Sequence, residues 1–318
     1  MGAVEGKGEK PLMAPTRILL TGAGGQLGTD IAKAAAKSPN VALTALDRSA
    51  LDITDRSAVL AAVDAASPEV ILHCAAYTAV DACETDELTA ISVNGLGTSN
   101  VVEAAKRVGA RMIYPSTDYV FDGSKPGPYI ETDQPKPASV YGRSKLIGEE
   151  ATRELGPDGL IVRTSWVAGV HGSNMVKTIL RVAETHDTLT FVDDQIGKPT
   201  FTSDLAAALL TLSTQSELEL GPDGAEGNIF HITNEVGEDV GRNGGVSWFD
   251  FCREVLSAAG LDPERVKPCA TEELQPPRPA PRPANSVLAN TRFGQIGLPL
   301  LRDFRDPLRE TVRSLTGS

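Results

Sequence analysis

The chain has 318 residues, 41% hydrophobic and 23% charged, enough for one large core or two unequal domains. Thirty basic against 42 acidic side chains leave a net charge of −12, which argues against a broad surface for nucleic acid or anionic membrane. A small anionic ligand remains compatible with that balance, because one arginine or a helix N-terminus can bind it locally.

The first fifteen residues, MGAVEGKGEKPLMAP, lack an apolar leader and read as a disordered tail. From Arg17 the chain alternates short apolar runs with helical periodicity. "RILLTG" (17–22) is a buried strand and "LGTDIAKAAAKS" a helix. "VALTALD" (41–47) is the next strand, "LDITD" holds a short third one, and "DRSAVLAAVDAA" is a helix capped near Asp55 or Ser57. The strand 69–76 precedes a long helix from about Asn94 to Val108. "RMIYPS", a helix over 141–155 and the strand 160–166 complete the series. Strands separated by helices of this length require right-handed crossovers, hence an α/β fold with a Rossmann-like, doubly wound parallel sheet.

Beyond Trp166 the pattern loosens into helices near 175–185, 203–214 and 248–259 and a strand, "GNIFHIT". "QPPRPAPRPANS" is too rich in proline for helix or central strand and is either an extended loop or a flexible linker. We expect a dinucleotide-binding domain over 16–168, with 203–235 packing back onto it. Residues 169–202 and 236–318 then form a smaller substrate-binding domain.

Between the first strand and first helix, "TGAGGQLG" carries Gly22, Gly25 and Gly28, with Gln26 and Leu27 among them. Glycines there allow a tight turn, a close approach of backbone to pyrophosphate and tight helix–strand packing. Asp47 ends the second strand, where an acid commonly holds the adenosine ribose, and Arg48 beside it suits a 2′-phosphate. NADH and NADPH therefore both stay open. Asp52 and Ile53 are placed to flank the adenine.

Tyr141 and Lys145 form Tyr-x-x-x-Lys on a helix, one turn apart on the same face. A unit charge ~5 Å from the phenol at an effective dielectric of ~20 favours phenolate by roughly 3 kcal/mol, about two pKa units below the ordinary value near 10. Thr117, at the carboxyl end of the preceding strand in "MIYPSTDYVFDG", completes a hydroxyl–phenol–ammonium set for carbonyl–alcohol interconversion. Cys74, Cys83, Cys252 and Cys269 form no C-x-x-C pair, and His73, His171, His186 and His231 show no zinc-like spacing. No metal site is expected, and the isolated thiols suit a reducing cytoplasm. No stretch approaches the ~20 apolar residues of a membrane span. Arg282, in the Pro-rich segment, is either a pyrophosphate contact or a solvated linker arginine.

Together "LLTGAGGQLG", "LDITD", "HCAAYTAVDACE", "VNGLGTSNV", "YPSTDYVFDG", "VYGRSKLIGE", "RTSWVAG", "DDQIGKPT" and "PRPANSVLAN" resemble the extended short-chain dehydrogenase/reductases of nucleotide sugars, and within them the dTDP-4-dehydrorhamnose reductase family. The resemblance implies Thr117, Tyr141 and Lys145 as the catalytic triad, and Leu27, Asp52, Ile53, Ala75, Ala76 and Tyr77 along the cofactor, with Asn94 supporting the helix geometry. It implies Thr117, Asp118 and Trp166 at the substrate, with Val80, Tyr119 and Asn174 as further contacts; Trp166 also has a core-packing reading. The implied reaction is NAD(P)H-dependent reduction of the C4 ketone of a dTDP-6-deoxy-4-keto sugar. Magnesium at dimer contacts comes from the resemblance alone, and monomer and homodimer both stay open. Related 4,6-dehydratases need Thr-Asp-Glu, whereas here Tyr119 follows Asp118, which removes the eliminating base. Met175 after Asn174 and a longer insert over 238–245 depart from the family pattern and leave the sugar open. Two alternatives share the scaffold: a non-catalytic dinucleotide-binding subunit like the methionine adenosyltransferase beta subunit, and another nucleotide-sugar reductase or epimerase.

Overall fold

The computed structural model describes residues 14–215 and 228–317. Most of the tail expected over 1–15 and part of the 203–235 segment therefore lie outside the described residues.

Strands β1 (Thr16–Thr21), β2 (Val41–Leu46), β3 (Val70–His73), β4 (Arg111–Thr117) and β5 (Gly159–Thr164) pair in parallel with one another and with Ile229–His231. The order is Ile229–His231, β5, β4, β3, β1, β2. Both faces of the sheet are apolar, and strand alternation sorts them. Ile18, Leu20, Val70, Leu72 and Ile113 enter the core under helices α1 (Gln26–Ala35) and Thr202–Thr214. Leu19, Ile71, Met112 and Tyr114 enter the opposite core under α2 (Arg56–Ala66) and Thr98–Val108. The chain leaves β1 toward β2 and then returns to β3 on β1's other side. The carboxyl ends of β1 and β3 thus flank the switch point where open α/β sheets bind ligands.

A third core gathers Met175–Ala183, Trp248–Ala258 and Arg305–Thr316 around Phe201, Phe251 and Phe304. Among the described residues no helix is long and apolar enough to cross a membrane.

Two local expectations are corrected, and one left open between two readings is decided. "LDITD" is a turn rather than a strand, because the Asp52 carboxylate accepts from the backbone and hydroxyl of Thr54 and closes the chain on itself. The helix ending at Val108 begins at Glu87, seven residues before Asn94, and runs through a π-helical stretch at Ile91–Gly97. The Pro-rich segment is an ordered extended loop, with Ala280 buried and Asn285–Ser286 paired in parallel with Ile196–Gly197.

The Val140–Arg153 helix starts at Ser139, whose hydroxyl accepts from the Gly142 amide. A buried ion pair locks it to the sheet. Arg163 of β5 donates to both Glu149 oxygens, at 2.9 and 2.7 Å, and neither side chain is exposed to solvent. Ser116 of β4 donates to the same carboxylate at 2.6 Å. Removing one partner of such a pair strands the other charge. Arg163→Met is expected to cost about 3–5 kcal/mol in urea denaturation, and adding Glu149→Leu to recover about half of it or more. A loss under 1 kcal/mol for the single variant would show that the pair does not hold the helix.

Candidate active site

The glycine loop sits at the switch point. Gly22 has φ +71°, and a Cβ there would lie 2.6 Å from the Ala75 amide nitrogen. A Cβ on Gly28 would collide with the Gly22 carbonyl oxygen, so this glycine is what lets α1 begin directly against the loop. A cleft of about 590 Å³ opens over the loop, lined by Gly22, Gly25, Asp47, Arg48, Asp52, Ile53, Ala75, Ala76 and Tyr77. Thr89 of the short helix Glu87–Ala90 and Ser92 and Val93 of the π-helical segment also line it; no sequence signal pointed to Thr89 or Ser92. Asp47 Oδ1 accepts from the Ser49 amide and hydroxyl and the Ala50 amide, which hold its carboxyl below the ordinary range. Asp47 and Arg48 both line the cleft, so the two expected ways of holding the adenosine ribose are offered side by side.

An adjoining cleft of about 420 Å³ shares Gly22, Gly25, Cys74 and Ala76 with the first. Gln26, Leu27 and Gly28 line it together with Val80, Thr117, Asp118, Tyr119, Tyr141, Lys145 and Trp166. Residues far apart in the chain thus meet along one continuous groove whose glycine-lined half is shaped to admit a dinucleotide.

Thr117 ends β4 and donates to Asp118 Oδ1 at 2.9 Å. Asn94 ties the groove wall to the helix: its Oδ1 accepts from the Tyr77 amide at 2.8 Å, and its Nδ2 donates to Tyr77 O and to Ser144 Oγ at 3.0 and 2.9 Å. Ser144 is the residue before Lys145.

The electrostatics depart from the expectation in one respect. Burial pushes the Tyr141 phenol up, Asp118 adds to this, and the Thr117 hydroxyl only partly offsets it. The expected acidifying effect of Lys145 is not what governs the phenol. Lys145 Nζ donates to the Pro115 carbonyl at 2.8 Å and sits 3.9 Å from the centre of the Tyr114 ring. Sharing a helix face brings the two side chains to the same cleft, but the long lysine stem is free to choose its own partners. Burial lowers Lys145 to about 7, so its charge is itself in balance near neutrality. Asp118, buried with Oδ2 unpartnered in the protein, is raised to about 6 by desolvation, against the Ser286 and Thr117 hydroxyls.

Trp166 keeps its core-packing reading. It lines the groove and also stacks on Trp248 at 3.5 Å, nearly parallel at 6°, with a left-handed φ of +48°. Tyr119 packs edge-on against Tyr141 at 5.6 Å, and burial raises its phenol. Asn174 corrects the sequence reading: its Oδ1 caps the Met175–Ala183 helix, and its Nδ2 donates to Gln26 Oε1 and Gly169 O, both at 2.7 Å, so the amide is engaged within the protein. Arg282 is no solvated linker residue. Its side chain is 16% exposed, pairs with Asp81 at 2.8 Å and lies 5.9 Å from the centre of the Tyr119 ring. Among the described residues no group of three or more His, Cys, Asp or Glu gathers to hold a metal ion.

A parallel sheet with a glycine loop at its switch point and Tyr-x-x-x-Lys on the helix beside it belongs to the class of extended short-chain dehydrogenase/reductases. The model of the RmlD substrate binding domain matches residues 16–316. The chain is 41% identical to the dTDP-4-dehydrorhamnose reductase of Mycolicibacterium smegmatis over 304 residues, 95% of this chain and 86% of that protein. Among solved structures it resembles the dTDP-4-dehydrorhamnose reductase of Clostridium acetobutylicum, with a TM-score of 0.83 at 40% identity over 94% of this chain and 99% of the other. The Bacillus anthracis reductase in complex with NADP superposes with a TM-score of 0.84 at 34% identity, over 94% and 99% of the two chains. The chain belongs to the dTDP-4-dehydrorhamnose reductase family.

The buried Asp118 supplies a pH test. Its folded-state pKa of about 6 lies above the ordinary ~3.9, so the folded protein binds this proton more tightly and the site costs stability as pH rises through 4 to 6. The stability advantage of Asp118→Asn over wild type is expected to widen by about 2 kcal/mol between pH 4.5 and pH 8. Chemical denaturation at both pH values reads it, and a pH-independent gap would show that Asp118 does not titrate as described.

Proposed function

We infer that this protein is the NAD(P)H-dependent reductase of the C4 ketone of dTDP-4-dehydro-L-rhamnose, yielding dTDP-L-rhamnose. The carrying observation is the groove itself, where the glycine loop and Thr117, Tyr141 and Lys145 line one cleft. When bound, the nicotinamide supplies hydride to C4. Tyr141 delivers its phenolic proton to the C4 oxygen, and its raised pKa makes the proton-bearing form the resting one across neutral pH. Thr117 holds that oxygen through its hydroxyl. Lys145, in its charged form, stabilises the phenolate left behind and hydrogen-bonds the nicotinamide ribose.

Gly22, Gly25, Gln26, Leu27 and Gly28 face the pyrophosphate, Asp47, Arg48, Asp52 and Ile53 the adenosine, and Ala75, Ala76 and Tyr77 the rest of the cofactor. Val80, Asp118, Tyr119 and Trp166 face the sugar, and Arg282 stands at the substrate's diphosphate. The dinucleotide belongs to the 16–168 part, and the sugar nucleotide lies between that part and residues 169–202 and 236–318. The tyrosine at 119, where elimination would need a glutamate, supports plain reduction. Reductase names on relatives at 41% identity support turnover over a regulatory-subunit role. The enzyme works in the cytoplasm, a reading supported by four free thiols, as a monomer or homodimer that light scattering distinguishes.

Supplied with dTDP-4-keto-L-rhamnose and NADPH or NADH, the wild type is expected to consume nicotinamide absorbance; folded protein that consumes neither cofactor is not this reductase. Tyr141→Phe is expected to lower kcat by about 10²–10⁴-fold with the NADPH dissociation constant within twofold. Equal activity would move the acid elsewhere, with Tyr119 first in line. Arg48→Ala is expected to weaken NADPH more than NADH; equal loss would assign the ribose to Asp47.

A further inference from the structure

The Pro-rich loop runs beside the groove, with Arg282 5.9 Å from the ring centre of Tyr119, a groove residue, and one carboxylate attaches it there. Asp81 follows Val80 of the groove wall in the short helix Val80–Cys83. Its Oδ1 accepts from the Ala280 amide at 3.2 Å, and its Oδ2 accepts from Arg282 Nη2 at 2.8 Å. Arg278 approaches the same oxygen at 3.8 Å. Arg282 Nη1 donates to the Ala280 carbonyl at 3.2 Å, so the turn of the loop and the aim of the guanidinium are set together. On its far side the loop packs against Gly123, which has φ +79° and where a Cβ would lie 2.6 Å from Pro283 Cβ. Prolines at 276, 277, 279, 281 and 283 leave few backbone donors, and Ala280 uses one of them on Asp81.

We propose that Asp81 is a positioning residue: it clasps residues 275–284 beside the groove and thereby aims Arg282 at the anionic diphosphate of the substrate. An arginine held at a carboxylate, largely shielded from water and 5.9 Å from the Tyr119 ring centre, is preorganised, so less side-chain entropy is lost when the anion docks. A free loop would have to order itself at each binding event. The substrate half of this proposal rests on the reductase reading, whereas the clasp itself does not.

Two measurements separate them. Hydrogen exchange of the full chain is expected to show the Ala280 and Arg282 amides exchanging at least about tenfold faster in Asp81→Ala than in wild type, with the β1 and β4 amides unchanged. Unchanged loop exchange overturns the clasp whether or not the protein turns over the sugar. In the coupled assay Asp81→Asn retains an acceptor for the Ala280 amide but loses the charge. It is expected to raise KM for the nucleotide sugar about tenfold while kcat and the NADPH dissociation constant stay within twofold. An unchanged KM, or a lowered one that would make Asp81 a competitor for Arg282, overturns the positioning role. Wild type that fails to turn over the sugar sinks the reductase reading and leaves the exchange result to decide the clasp. Should Asp81→Ala fail to fold, Asp81→Ser, which also gives up the carboxylate, replaces it in the exchange experiment, with the same two readings.

Discussion

The site hangs on a carboxylate that never touches it. Glu149 is buried, and it is held by both donors of Arg163 from β5 and by the Ser116 hydroxyl from β4. That one acid fixes the Val140–Arg153 helix to two adjacent strands. A shift of the helix along the sheet would leave an ion pair broken in a dry interior, at a cost of several kcal/mol. Tyr141 and Lys145 ride on the helix two and one turns before Glu149, and Thr117 directly follows Ser116. The relative placement of phenol, ammonium and hydroxyl is therefore inherited from an interaction beneath the groove.

Burial then sets the chemistry of the groups so placed. Desolvation disfavours whichever form is charged, so it raises Tyr141 and Asp118 and lowers Lys145 at the same time. The low local dielectric that penalises these ions also strengthens their attraction to any charged guest. Arg282 and Asp81 form a charged contact beside the groove.

Much of this architecture was legible beforehand, for identifiable reasons. The inner strands of the main sheet are short apolar runs buried on both faces, so composition alone marks them, and Gly22 and Gly28 of "TGAGGQLG" stand where a Cβ would strike backbone. Other features were not legible. "LDITD" has strand-like residues, but an aspartate three residues before the Asp55 cap turns the chain by hydrogen-bonding its own backbone. Asn174 donates its amide to Gly169, five residues before it, and to Gln26, 148 residues away, a partner that no spacing reveals. The π-helical Ile91–Gly97 segment follows from contacts as well: Cβ atoms on Gly95 and Gly97 would press on Ile147 and Ile53, so the glycines admit close neighbours there.

The amino-acid order by itself determined the alternating fold, the glycine turn, and that a phenol and an ammonium share one helix face, because each follows from periodicities of two and 3.6 residues and from local sterics. It also determined that the residue after Thr117 and Asp118 is a tyrosine. Only the tertiary structure decided where the long side chains lead. Lys145 turns to the Pro115 carbonyl and the Tyr114 ring, Asn174 turns inward, and Arg282 is captured by Asp81 two hundred residues away in the chain. A flexible charged or amide side chain takes the best partner within reach of its stem, and that partner exists only once the distant parts of the chain have packed.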